Sequence, residues 1–254
     1  MKKTVAVTLW LLALLPFSAL YAGSEAIENA VDHPDRPTAD RDRDDTRQPA
    51  QVLGFLGIEP GMHVLDLFSG GGYYTEVLSR VVGQDGAVMA HSVAAYENFV
   101  GAEALEKRYG GNRLPNVIRQ TAEIADMKLK PEHFDACVMM LTYHDIYYRP
   151  NDGNWVNIDG PAMLKKIYDG MKPGGVVGIV DHVAAAGSPA EVGNTLHRID
   201  PAIVKAEMAA AGFQFAGEVD YLRNPEDDHS KPMFDPSVRG KTDRFVYKFS
   251  KPAS

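Results

Sequence analysis

Histidine and aspartate stand together in L-T-Y-H-D at residues 141–145, in V-D-H at 180–182, and around His197 in L-H-R-I-D at 196–200. Histidine is the side chain best placed to move a proton near neutral pH. His144, with Asp145 or His182, is therefore the candidate for handling a substrate proton, and His197 joins them as a catalytic candidate. Histidines beside Asp145 or Asp181 are also a donor set that a metal accepts. Their spacing matches no metal signature, so the expectation is a proton-handling cluster with no metal. Asp200 precedes Pro201 and reads as a helix cap.

A second stretch carries different chemistry. Residues 64–76 read V-L-D-L-F-S-G-G-G-Y-Y-T-E. An apolar run ends in an acid, Asp66; Gly70, Gly71 and Gly72 follow; then a helical pattern begins. Glycines let a chain turn with positive φ and let a ligand come close to the backbone. A helix start offers unpaired N–H groups. This combination reads as a ligand-binding turn.

Both stretches need a frame. Apolar runs at 62–68, 87–90, 116–119, 134–141, 176–180, 213–222 and 244–249 read as strands, and helical periodicity occupies 73–82, 94–109, 161–171 and 201–211. A short helix is expected at 48–57, with Gly57 as its cap. The run at 134–141 is almost wholly apolar, as in a strand buried on both faces. Strands alternating with helices predict an α/β, doubly wound, seven-stranded Rossmann-like sheet, mostly parallel with a C-terminal antiparallel hairpin. Ligands bind such sheets beyond the carboxyl ends of the strands. That filter selects 66–72, His91, 121–123, 142–145 and 181–182.

The start of the chain differs in kind. Lys2 and Lys3 precede an apolar run to Leu20, broken by Pro16 and followed by small residues. Residues 1–22 read as a bacterial export signal, placing the mature chain in the periplasm or outside the cell, with no stable membrane span after cleavage. Cys137 is the one cysteine, so no internal disulfide can form. Without the two lysines of the leader the net charge goes from -8 to about -10, which argues against nucleic acid as a partner. Residues 23–47 form a charged arm in which arginines alternate with aspartates; it reads as solvated, or as a lid bearing arginines. Residues 48–254 form the domain, and 223–242 is a long loop expected to fold over the strand ends as a lid. The oligomeric state is left open.

The acid-plus-glycine turn, the K-P-G-G turn at 172–175 and the closing hairpin resemble the class I S-adenosylmethionine-dependent methyltransferases, over roughly residues 48–250. Within them the chain looks like an exported subgroup in which an aromatic residue, here Phe68, replaces the first glycine of the turn. The resemblance implies S-adenosylmethionine as cofactor, with Gly70, Gly71 and Gly72 near its methionine part and Asp66 facing its amino group. It places His91 where the family usually has a ribose-binding acid, and Glu123 near the adenine amine. A helix-start acid is the other reading of Glu123. The implied activity is methyl transfer to a small-molecule acceptor. The alternatives are a small-ligand-binding protein on a methyltransferase scaffold and a histidine-rich, metal-assisted enzyme.

Overall fold

The computed structural model describes residues 17–151, 153 and 155–253. Most of the expected leader, residues 1–16, lies outside them. The elements are α1 (Phe17–Val31), α2 (Thr38–Arg41), α3 (Asp44–Arg47), α4 (Pro49–Leu56), β1 (His63–Leu67), α5 (Tyr73–Val82), β2 (Ala87–Ser92), α6 (Ala94–Val100), α7 (Ala102–Tyr109), β3 (Val117–Thr121), β4 (Phe134–Met140), α8 (Gly160–Gly170), β5 (Met171–His182), α9 (Val192–Leu196), α10 (Pro201–Ala210), β6 (Gln214–Val219) and β7 (Arg244–Ser250). No described helix is long and apolar enough to cross a membrane.

The seven strands form one sheet in the order β3-β2-β1-β4-β5-β7-β6. Neighbours from β3 to β5 pair in parallel, and β7 runs antiparallel to both β5 and β6. The chain leaves β1 toward β2 on one side and returns as β4 on the other. That reversal opens a crevice at the carboxyl ends of β1 and β4.

Local sequence explains the layers. Val77, Leu78, Val81 and Val82 lie on one side of α5 and are at most 2% exposed. Burying each such side chain stabilises the fold by about 1.5–3 kcal/mol. Cys137, Val138 and Met139 of β4 are fully buried between the helix layers, as its apolar run requires. α4 packs directly on β5 because Gly178 has no side chain: a Cβ there would lie 2.3 Å from Leu56. Gly57 caps α4 at φ +77°.

Two expectations are corrected. The single helix at 94–109 is two, broken where Gly101 takes φ +88°. The 23–47 arm is solvated only on its outer side. Ile27 and Ala30 join the core formed by Val52, Tyr73 and Val77. Arg36 is 2% exposed and grips Asp44 with two hydrogen bonds, of 2.7 and 2.8 Å. Buried Asp40 takes ion pairs from Arg43 and Arg108. Of the alternating charges, Arg36 and Asp40 are buried, each neutralised by a partner, while Arg41, Asp42, Arg43 and Asp45 stay exposed.

Candidate functional site

β4 ends at Met140, and Leu141 turns the chain with φ +65° into a short 3-10 segment, Tyr143–Tyr147. This puts His144 and Asp145 over the carboxyl end of β5. Asp181, near the end of β5, holds His144 there. Its Oδ1 lies 2.8 Å from His144 Nδ1, and its Oδ2 accepts the His144 backbone N–H at 2.8 Å. Because a carboxylate only accepts, Nδ1 carries a hydrogen, and the working atom of the ring is Nε2. That atom is buried and has no hydrogen-bond partner.

His197 reaches the same place from another direction. It follows α9 with φ +51°, a left-handed conformation that costs a non-glycine residue energy and recurs at functional sites. Its Nδ1 lies 3.7 Å from Asp145 Oδ1, which is 3.4 Å from His144 Nε2. Tyr96 of α6 donates its hydroxyl hydrogen to Asp145 Oδ2. The predicted loop lies beside this group: Phe234 packs its ring 5.0 Å from His197, and Met233 donates its N–H to the Leu196 carbonyl. Arg198, fully buried, fastens the loop through Asp227 at 2.8 and 3.0 Å. Asp200 caps α10 through the Ala202 N–H.

Electrostatics separate the histidines. Burial pulls His144 down, but Asp145 and Asp181 outweigh it and raise the ring to about 9. His182 points elsewhere: its Nδ1 is 2.6 Å from the Thr242 hydroxyl. Burial, and then the charges of His144, Arg244, Arg198 and Arg47, hold it far below its ordinary value. His182 thus stands next to the site as a neutral wall, not within the His144–Asp145–His197 group.

The glycine turn is folded as its sequence suggests. Gly72 is the N-cap of α5 at φ +78°, and Gly70 has φ +53°. Asp66 is buried at the end of β1 and accepts the Thr75 hydroxyl at 2.6 Å. Burial raises its carboxyl to about 7, against the pull of Thr75. A nearby cation would favour the charged form that burial disfavours, so the chemistry of Asp66 suits an amino group.

The rest of the crevice does not fit the cofactor in this arrangement. A Cβ on Gly72 would lie 2.4 Å from the Tyr109 hydroxyl and 3.0 Å from Arg108, so α7 fills the close-approach position. Arg108 also donates to the Gly71 carbonyl at 2.9 Å. Phe68, itself at φ +56°, is buried among His91, Tyr96 and Trp155, with ring centroids 5.7, 5.7 and 6.4 Å away. His91 is fully buried within β2 and its Nε2 faces the Ala122 carbonyl at 2.9 Å; burial lowers it to about 4. Glu123 is half-buried and lies in a loop; no helix begins there, so the helix-start reading of it is set aside. Buried polar atoms without partners nevertheless gather at these strand ends: His91 Nδ1, Thr142 Oγ1 and His144 Nε2, with Trp155 Nε1 beside Phe68. Sequence reasoning did not single out Tyr96, Tyr109 or Trp155, which carry no motif and arrive from helices and loops remote in sequence.

A family model of protein-L-isoaspartate (D-aspartate) O-methyltransferase matches residues 44–109, the span that holds Asp66 and the glycines. No curated protein matches the sequence. Among solved structures, a SAM-dependent methyltransferase from Aquifex aeolicus superimposes with TM-score 0.59 at 20% identity, covering 90% of this chain and 98% of its own. An arsenic(III) S-adenosylmethionine methyltransferase from Chlamydomonas reinhardtii gives 0.55 at 18% identity, covering 89% and 73%. The [4+2]-cyclase SpnF gives 0.55 at 16% identity, covering 92% and 94%. Strand order, pairing directions and these superpositions agree: the chain has the Rossmann-like fold of the S-adenosylmethionine-dependent methyltransferases.

Proposed function

We propose that the protein is an exported enzyme of the methyltransferase fold that acts on a small molecule, with His144 moving the substrate's proton. The observation that carries this is the clamped imidazole: Asp181 fixes Nδ1 and the backbone of His144, which leaves a buried, unpartnered Nε2 at the strand ends. A proton-transfer group needs that combination of fixed orientation and a free reacting atom. The family match and the superpositions support methyl transfer as the reaction. An oxygen, nitrogen or sulfur acceptor must shed a proton in such a transfer, and Asp66 is the residue suited to the cofactor's amino group. When bound, S-adenosylmethionine would supply the electrophilic methyl. The role given to the chain itself stops at orienting the acceptor and taking its proton on Nε2, which His144 does only in its neutral form, the minor one below about pH 9; Phe68 and Tyr109 crowd the glycine turn.

That closure favours a second reading, in which the scaffold is kept and the cofactor is not. The fold hosts more than one chemistry, as the neighbour described as a [4+2]-cyclase illustrates. Export would also part the chain from a cofactor made in the cytoplasm. Calorimetry of the mature protein with S-adenosylmethionine and S-adenosylhomocysteine decides between the two. Saturable heat that is lost in Asp66→Asn establishes the first; no heat at millimolar ligand leaves the second.

A further inference from the structure

We infer that His144, Asp145 and His197 form a binding site for one divalent transition-metal ion of the zinc class. Nε2 of His144, a carboxylate oxygen of Asp145 and a ring nitrogen of His197 all lie within 4.8 Å of one another. Two of the separations are 3.4 and 3.7 Å. An ion that holds nitrogen and oxygen at about 2.0–2.1 Å in a tetrahedron sets its ligand atoms about 3.4 Å apart. Two of the three separations already stand near that spacing and the third is within 4.8 Å, so the ion asks for small side-chain adjustments only.

A second observation is independent of the spacing. His144 is 1% exposed, and its Nε2 has no hydrogen-bond partner and faces Asp145 Oδ1 at 3.4 Å. A buried ring nitrogen with nothing to bond is costly unless something occupies the space in front of it. The surroundings are those of a coordination sphere. Asp181 binds the far nitrogen of His144, and the Tyr96 hydroxyl binds the far oxygen of Asp145. Such outer partners fix ring orientation and raise ligand basicity. His197 is the more open member, its side chain 17% exposed against 1% for His144 and 9% for Asp145. Two imidazoles and a carboxylate suit zinc, iron, nickel or copper over magnesium or calcium. His182 is no part of the site: the mutually close ligand atoms are those of His144, Asp145 and His197.

With an ion bound, His144 Nε2 is a ligand and no longer the proton-moving atom of the function proposed above; the site stands whether or not a cofactor binds. Its test uses the full chain without affinity histidines, stripped with a chelator and titrated with Co²⁺ and with Zn²⁺. We expect one ion per chain, the visible absorption of a low-coordinate Co²⁺ site, and a melting temperature that rises with the ion. His197→Ala and Asp145→Asn should each weaken binding at least ~100-fold. His197 is partly open, so its variant should fold, and the melt of the stripped variant checks this. His33→Ala, at the surface, should titrate like the parent. A titration that does not saturate, or one that His197→Ala leaves unchanged, overturns the inference.

Discussion

Asp181 holds His144 at two points, through the ring Nδ1 and through the backbone N–H, each at 2.8 Å. The carboxylate therefore fixes both where the residue sits and which ring nitrogen faces the crevice. Asp181→Asn keeps the shape but offers only one accepting oxygen. The expected result is a folded protein that binds Co²⁺ about 10–100-fold more weakly, the usual effect of losing an outer partner. Parallel titrations of the parent and the variant, with circular dichroism to confirm the fold, check this. Equal affinities would show that Asp181 positions nothing.

Glu76 anchors α7 and the arm to the glycine turn. It is fully buried on α5, 2.9 Å from Arg80 and 2.7 Å from Arg113, and it pairs with Arg108. Burial opposes its charge, but the three guanidinium groups win and lower it to about 2. The folded state thus binds its proton later than the unfolded state does. The stabilisation is complete above the ordinary glutamate value and is lost as the pH falls from about 4.5 to about 2. Glu76→Gln leaves three cations facing an amide and should cost about 3–5 kcal/mol at pH 7. Denaturant titrations at several pH values should show that difference shrinking below about pH 4.5.

His91 should make the protein acid-sensitive at milder pH. It is fully buried, and burial lowers it to about 4 despite the Ala122 carbonyl. As the pH falls through 6.5 the unfolded chain takes up the proton and the folded chain does not. Stability should therefore fall between about pH 6.5 and about pH 4, by roughly 3 kcal/mol in total. His91→Gln keeps a donor within reach of the Ala122 carbonyl and removes the titration. The parent-minus-variant difference in unfolding free energy across that window measures the effect, and a flat difference would refute it.

The sheet was legible because its signals are local. The apolar run of β4, the 3.6-residue pattern of α5 and the caps at Gly57 and Asp200 each report a neighbourhood of a few residues. The gathering of His144, Asp145 and His197 was legible through topology, since the strand-end rule selects two of them and the third follows a loop to the same rim. What escaped depends on distant partners. The arm reads as solvated because Asp40 is neutralised by Arg108, far along the chain. Gly72 reads as a place for a ligand, and only the arrival of α7 shows that Tyr109 takes it. Phe68 is visible as a departure from the glycine pattern, but the sequence does not say that its ring is buried against Tyr96 and Trp155.

Phe68 is where fold stability and access to the crevice trade against each other. Its φ of +56° is a conformation that glycine adopts freely and that costs an ordinary residue about 1–2 kcal/mol. Its ring is 3% exposed, and removing a buried phenylalanine costs about 3–5 kcal/mol. Phe68→Gly relieves the first and suffers the second, so a net loss of roughly 2–3 kcal/mol is expected. The same substitution restores the family's glycine and empties the space between His91, Tyr96 and Trp155. S-adenosylhomocysteine should bind the variant more tightly than the parent, and its addition should raise the variant's melting temperature more. If the variant loses stability but gains no affinity, Phe68 is core packing, and the barrier to the cofactor lies with Tyr109 on Gly72 instead.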